Sequence, residues 1–153
     1  MTKSLLFSWY FVFVVGYCLL VQTRATPQQF HNCNNCYAVT AYEIIKYHKP
    51  KLNITVKELM EMTHQGCAGG SASRILDKFF RGTKKHRGSL YKVIDLLKKN
   101  GPLIVDLKPD HLVTAWKASE NGLLIHDSRF GEEKIITQKE HPLKFSFIAY
   151  PLI

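Results

Sequence analysis

The sequence predicts an α+β domain in which helices come first and a twisted antiparallel sheet follows. Two observations carry this. Between residues 36 and 100 the apolar positions recur at helical spacing and are bounded by cap and stop signals. From Leu103 onward, short runs rich in β-branched and aromatic residues are separated by turn sequences. No internal repeat or low-complexity segment interrupts this order.

The chain opens with Met1-Thr2-Lys3-Ser4 and an apolar run from Leu5 to Val21 that contains six aromatic residues. Thr23-Arg24-Ala25 then offers small residues ahead of a cut. Residues 1–25 have the pattern of a secretory signal peptide removed after Ala25. The competing reading is an uncleaved anchor, since the run is near the lower length limit for a span. Residues 26–153, 128 in all, suffice for one domain with its own core. A secreted or lumenal location follows, with no membrane attachment after signal removal.

Without Lys3 and Arg24, 19 basic residues stand against 12 acidic ones, so the remaining chain is formally +7. These basic residues are scattered, the densest run being Arg81 to Arg87, and no nucleic-acid motif accompanies them. A solvated basic loop is expected, not a nucleic-acid partner. Cysteines are more informative. Cys18 leaves with the signal, and Cys33, Cys36 and Cys67 remain. An odd count in an oxidising compartment implies one disulfide and one thiol with a reason to stay reduced.

In chain order, Asn34 and Asn35 are good N-cap residues, so Cys36 falls in the first turn of a helix that runs to about His48. Lys49-Pro50 stops it. Asn53-Ile54-Thr55 is an N-glycosylation sequon, consistent with a surface loop. Thr55-Val56-Lys57-Glu58 fits a capping box and opens a short helix through Leu59 and Met62. A glycine-rich turn, Gly66-Cys67-Ala68-Gly69-Gly70, precedes a third helix over Ser71 to Phe80. Ser89 caps a fourth, whose Leu90, Val93, Ile94 and Leu97 follow i, i+3, i+4, i+7 spacing. Asn100-Gly101-Pro102 ends it. Strands follow at Leu103–Leu107, Leu112–Lys117, Leu123–His126, Lys134–Thr137 and Phe145–Tyr150.

Three chemistries compete for Cys33-Asn34-Asn35-Cys36: a redox pair, half of a zinc site, or a nucleophile with a structural cysteine beside it. The dipole and unpaired N–H groups at a helix start favour a thiolate, which is a strong nucleophile. Such a nucleophile needs an imidazole partner, an orienter for that partner, and oxyanion donors. His111 opens one predicted strand and Asp127 ends the next, across a turn at Asn121-Gly122. If the two strands pair, His111 and Asp127 lie near the same end, and Cys36, His111 and Asp127 form a triad. A redox motif would need a preceding strand, and the signal peptide stands there instead. A zinc site from Cys33, Cys36, Cys67 and His64 has suitable ligand types but no second close pair. The other histidines, His126 beside Asp127 included, are read as structural or surface residues, and Trp116 as core.

These residues carry a resemblance. Cys33-Asn34-Asn35-Cys36-Tyr37-Ala38-Val39-Thr40-Ala41 resembles the papain-family signature Cys-Gly-Ser-Cys-Trp-Ala-Phe-Ser-Ala. Val56 to Glu61, with Gly66 to Gly70, resembles Ser-Glu-Gln-Glu-Leu-Val-Asp and Gly-Cys-Asn-Gly-Gly. Asn100 to Val105 is similar to the family's Gly-Pro-Val-Ser-Val strand, Asp110-His111-Leu112-Val113 to Asp-His-Ala-Val, and Asp127-Ser128 to Asn-Ser. The blocks run in family order from about residue 26 to the last residue. The resemblance implies a papain-like cysteine peptidase fold with Cys36 as nucleophile, His111 as its partner and Asp127 as orienter. It implies a disulfide between Cys33 and Cys67, and a ledge at Gly69 and Gly70 where substrate backbone lies as an added strand. It implies no metal and no organic cofactor. The partners are a peptide or protein substrate and proteinaceous cysteine-protease inhibitors, acting on a monomer.

The departures are specific. The family's oxyanion glutamine stands six residues before the nucleophile, where this chain has Phe30; Gln29 is seven before and takes that role if the loop shifts by one residue. Asp127 replaces an asparagine, a change other hydrolases tolerate. The tryptophan that shields the histidine contact is replaced around Arg129-Phe130, with Phe130 as substitute. The chain is far shorter than a mature papain. In length and in its aspartate it is similar to the compact double-glycine peptidase domains, while Gly66 to Gly70 and the cysteines favour papain. The alternative from another class is a catalytically weak or inactive papain-fold binding protein, a secreted effector or decoy. A zinc-stapled domain is the third.

Overall fold

A computed structural model describes residues 35–63, 72–108, 111–119, 122–137 and 144–153. The expected signal peptide, Gln29, Cys33, Cys67, Gly69 and Gly70 lie outside these residues, as does His64. Within them the expected order of elements holds, with one strand added.

Helix α1 is Cys36–His48. Asn35 stands at its N-cap, but the cap is made by backbone and not by the expected side chain: the Asn35 carbonyl accepts from Ala38 N–H at 2.9 Å and Val39 N–H at 3.1 Å. The Thr40 hydroxyl donates to the Cys36 and Tyr37 carbonyls at 2.9 and 3.2 Å, tightening the first turn. Pro50 lacks the N–H to continue the helix. The Lys46 ammonium instead binds the Pro50 and Leu52 carbonyls beyond the helix end.

Helix α2, Val56–Glu61, starts on the predicted capping box, in which Glu58 N–H donates to Thr55 Oγ1 and Thr55 N–H to Glu58 Oε2. Helix α3 is Ala72–Phe79, and α4 is Leu90–Asn100. Ser89 has the extended conformation of an N-cap but makes no side-chain cap bond. At the other end Gly101 adopts φ +76°, and its N–H returns to the Leu97 carbonyl at 3.0 Å.

Strands β1 (Thr83–Gly88), β2 (Leu103–Lys108), β3 (His111–Ser119), β4 (Gly122–Asp127), β5 (Glu132–Thr137) and β6 (Phe145–Pro151) form one sheet. Its order is β1-β6-β2-β3-β4-β5, and every pairing is antiparallel. The basic stretch expected as a loop, Arg81 to Arg87, is largely strand β1. An edge strand pairs on one side only, so Lys84, Lys85 and Arg87 remain in water while the backbone pairs with β6. Charges on an edge also discourage pairing with another chain.

Period-two alternation gives the sheet two buried faces. On one, Leu103, Val105, Val113, Ala115, Leu123 and Ile125 meet Leu90, Val93 and Leu97 of α4. On the other, Ile104 and Ala149 meet Ala38, Ala41, Ile44 and Ile45 of α1 and Ile75 and Leu76 of α3. Each fully buried Ile or Leu contributes about 1.5–3 kcal/mol. The helix carrying Cys36 is thereby fixed to one face by small and branched side chains.

The turn at Gly101 favours glycine, since its φ is positive and a Cβ there would also stand 3.0 Å from Tyr47 Cε1 of α1. Gly101→Ala is expected to lose about 1–2 kcal/mol of stability through the left-handed backbone alone. Urea denaturation measures this, and a midpoint equal to that of the wild type would show that the turn carries no constraint.

Candidate active site

The hairpin between β3 and β4 brings His111 and Asp127 together. Thr114 pairs with His126 and Ala115 with Ile125, so the first residue of β3 and the last of β4 share one end of the sheet. There His111 Nε2 and Asp127 Oδ2 are 2.9 Å apart, with side chains only 5% and 3% exposed. The carboxylate fixes the tautomer, because it can only accept: Nε2 carries the proton it donates. Asp127 is itself held by Arg129 N–H, which donates to Oδ1 at 3.1 Å. His111 Nδ1 is buried and has no hydrogen-bond partner among the described residues. An imidazole anchored at one nitrogen can exchange a proton with a neighbouring group through the other.

The position of Cys36 follows from two contacts further along α1. Thr114 of β3 donates its hydroxyl to Glu43 Oε2, and the ring of Tyr47 meets Trp116 edge-on at 6.2 Å between centroids. Four residues of helix advance about 6 Å and two residues of strand advance roughly 6.6 Å. Helix α1 therefore runs alongside β3 in the same direction. Seven residues back from Glu43, about 10.5 Å, is Cys36; three residues back from Thr114, roughly 10 Å, is His111. The first turn of α1 lies level with the start of β3. A seven-residue step also returns to nearly the same side of a helix, within about 20°, so Cys36 shares the sheet-facing side with Glu43. Cys36 is buried and is not part of a disulfide.

Glu43 is the residue that sequence reasoning passed over. Its carboxylate receives the Thr114 hydroxyl on one oxygen and pairs with His126 Nδ1 on the other. Both partners of the ion pair are nearly buried, Glu43 at 11% and His126 at 13% side-chain exposure. The Glu43 hydrogen bond holds the His126 imidazole above the usual histidine range, against the opposing effect of burial; Glu133 and Asp127 add to the rise. The available signal was a lone acid two helical turns after Cys36 in an otherwise small and apolar helix face. His126 reaches α1 through Glu43, and Asp127 at the last position of β4 holds His111, so the two neighbours serve different partners.

Other expectations divide clearly. Phe130, expected to shield the His111 contact, is 61% exposed, because it sits in the turn after β4 while Asp127 is satisfied by backbone and imidazole. Asn53 is exposed, in the loop before α2. Gln29, the Cys33–Cys67 disulfide and the Gly69–Gly70 ledge fall outside the described residues, as do three of the four zinc candidates.

Two solved structures share this architecture. The peptidase domain of Streptococcus ComA, a bifunctional ABC transporter involved in a quorum-sensing pathway, aligns with a TM-score of 0.61 at 14% identity. The alignment covers 78% of this chain and 93% of that one. A double-glycine-motif protease from an AMS/PCAT transporter, solved with its leader peptide, gives 0.56 at 16% identity, over 78% of this chain and 84% of its own. No family model matches the sequence. No curated protein matches it in sequence. The fold is the papain-like cysteine peptidase fold.

Two measurements test the site. Asp127→Ala leaves the buried His111 Nε2–H without its acceptor and is expected to cost about 1–3 kcal/mol of stability; Asp127→Asn, which keeps an acceptor oxygen, should cost clearly less by denaturant titration. The raised His126 pKa means that the folded state binds its proton more tightly than the unfolded state. The resulting stability is fully present below about pH 6.5 and disappears as pH rises through the folded value. His48, pushed down by burial, has the opposite sign, so the comparison is wild type against His126→Gln. Their stability difference should be larger near pH 6 than near pH 9, and a difference that grows with pH would contradict the ion pair.

Proposed function

We propose that this chain is a secreted cysteine peptidase that cleaves peptide bonds through Cys36, His111 and Asp127. The observation that carries the reading is the buried His111–Asp127 hydrogen bond, level with the first turn of the helix that bears Cys36. The papain-like fold, shared with two peptidase domains, supports this reading.

In this mechanism the Cys36 thiol passes its proton to His111 Nδ1 as its sulfur attacks the scissile carbonyl carbon. Asp127 holds the ring through Nε2–H and stabilises the charge it acquires. The developing oxyanion takes the Cys36 backbone N–H and the Gln29 side-chain amide. The tetrahedral adduct collapses with the Nδ1 proton moving to the leaving amine, which leaves a thioester on Cys36. A water, deprotonated by Nδ1, then adds to the thioester and releases the acid product and the thiol. Gly69 and Gly70 line the strand-like path of the substrate backbone, and a Cys33–Cys67 disulfide pins the nucleophile loop to that ledge. The relative solved with a leader peptide supports a peptide ligand, so a peptide with two adjacent glycines before the cut is the first substrate to try. Signal removal after Ala25 and a glycan on Asn53 complete the proposal, with residues 26–153 as the mature domain.

The test is labelling of residues 26–153 with an epoxide inhibitor of papain-like enzymes, followed by peptide mapping. One equivalent of adduct on Cys36 is expected, lost in His111→Ala. A folded protein that takes no label would make the chain a papain-fold binding protein instead.

A further inference from the structure

We propose that Glu43 and His126 are positioning residues: with Thr114 they lock the lengthwise register of α1 on the sheet and so set Cys36 against His111. The inference rests on the peptidase reading above and adds to it a device outside the triad.

Helix α1 meets the sheet largely through Ala38, Ala41, Ile44 and Ile45. Apolar contact is non-directional, so such a face resists separation more than it resists sliding. A slide by one residue moves Cys36 about 1.5 Å along the helix axis, enough to break alignment with an imidazole. Glu43 supplies what that face lacks, with one oxygen on Thr114 of β3 and the other on His126 of β4. Two directional bonds to two strands fix one point of the helix along the sheet. A buried ion pair is a poor source of stability compared with well-packed apolar residues, and its best-attested use is to specify register.

His126 immediately precedes Asp127 on β4. Consecutive residues of one strand therefore hold the nucleophile's helix, through Glu43, and the imidazole of His111. The charged and hydrogen-bonding groups facing His126 are Glu43 from α1, Thr114 from β3, Glu133 across from it on β5, and Asp127 beside it.

The experiment compares wild type with Glu43→Ala, Glu43→Gln and the apolar double variant Glu43→Met/His126→Leu in residues 26–153. It reads melting temperature, the rate of epoxide labelling at Cys36, and the NMR signals of the His111 ring. The double variant is expected to melt within a few degrees of wild type, to label at least about tenfold more slowly, and to show a shifted His111 signal. Glu43→Ala should slow labelling similarly, and Glu43→Gln should recover to within about threefold, because its amide oxygen still accepts one of the two bonds. If the double variant does not fold, the Ala-to-Gln contrast decides alone. Unchanged labelling and an unchanged His111 signal in folded variants would overturn the inference. A wild type that takes no label overturns the peptidase reading only; the His111 signal then tests the register lock by itself, a shift supporting it and no shift refuting it.

Discussion

The seating of α1 along β3 is the constraint on which the rest of the molecule depends. It is set by the contact of Glu43 with Thr114 and of Tyr47 with Trp116, and it brings the first turn of the helix to the end of the sheet where His111 begins its strand. The surrounding features support that seating. Gly101 lets the chain turn out of α4 beside Tyr47 without a Cβ in the way. Asp106 on β2 caps the short pairing with β6 by accepting from Ser146 and Phe147 N–H groups, which holds the centre of the sheet together. A helix on a sheet needs no polar contact to pack. Burying a carboxylate here is costly unless every oxygen is used, and Glu43 uses both.

Strand β4 acts as the common reference for two sets of chemistry. His126 binds Glu43 of α1 and the next residue, Asp127, binds His111, so one strand end ties both the helix and the imidazole to the sheet. Two histidine–carboxylate pairs meet at this strand without exchanging partners: His126 belongs to Glu43, and His111 to Asp127. Shared fold with two peptidase domains at 14% and 16% identity shows how little sequence this scaffold needs to preserve.

Much of this was legible in the chain, and the reasons are local. The capping box at Thr55, the glycine stop at Gly101 and the alternating runs after Leu103 are each encoded within a few residues. The His111–Asp127 contact spans only 16 residues and follows from one hairpin. The Glu43 contacts span 71 and 83 residues and depend on how a helix lies across a sheet, which no local pattern specifies. Strand β1 is not legible in the sequence because a charged edge lacks an apolar period. At Asn35 and Ser89 the residue type pointed to the correct boundary, although neither side chain makes the cap bond.

The most direct test of the account is chemical bridging of the thiol and the imidazole. 1,3-Dibromoacetone alkylates a reactive thiol and then any nucleophile within reach of its three-carbon bridge. Treated with one equivalent, folded residues 26–153 should yield a cross-linked peptide pair joining Cys36 to His111, absent after denaturation. Alkylation of Cys36 in the folded protein with His111 left unlinked would contradict the proposed pairing of helix and strand.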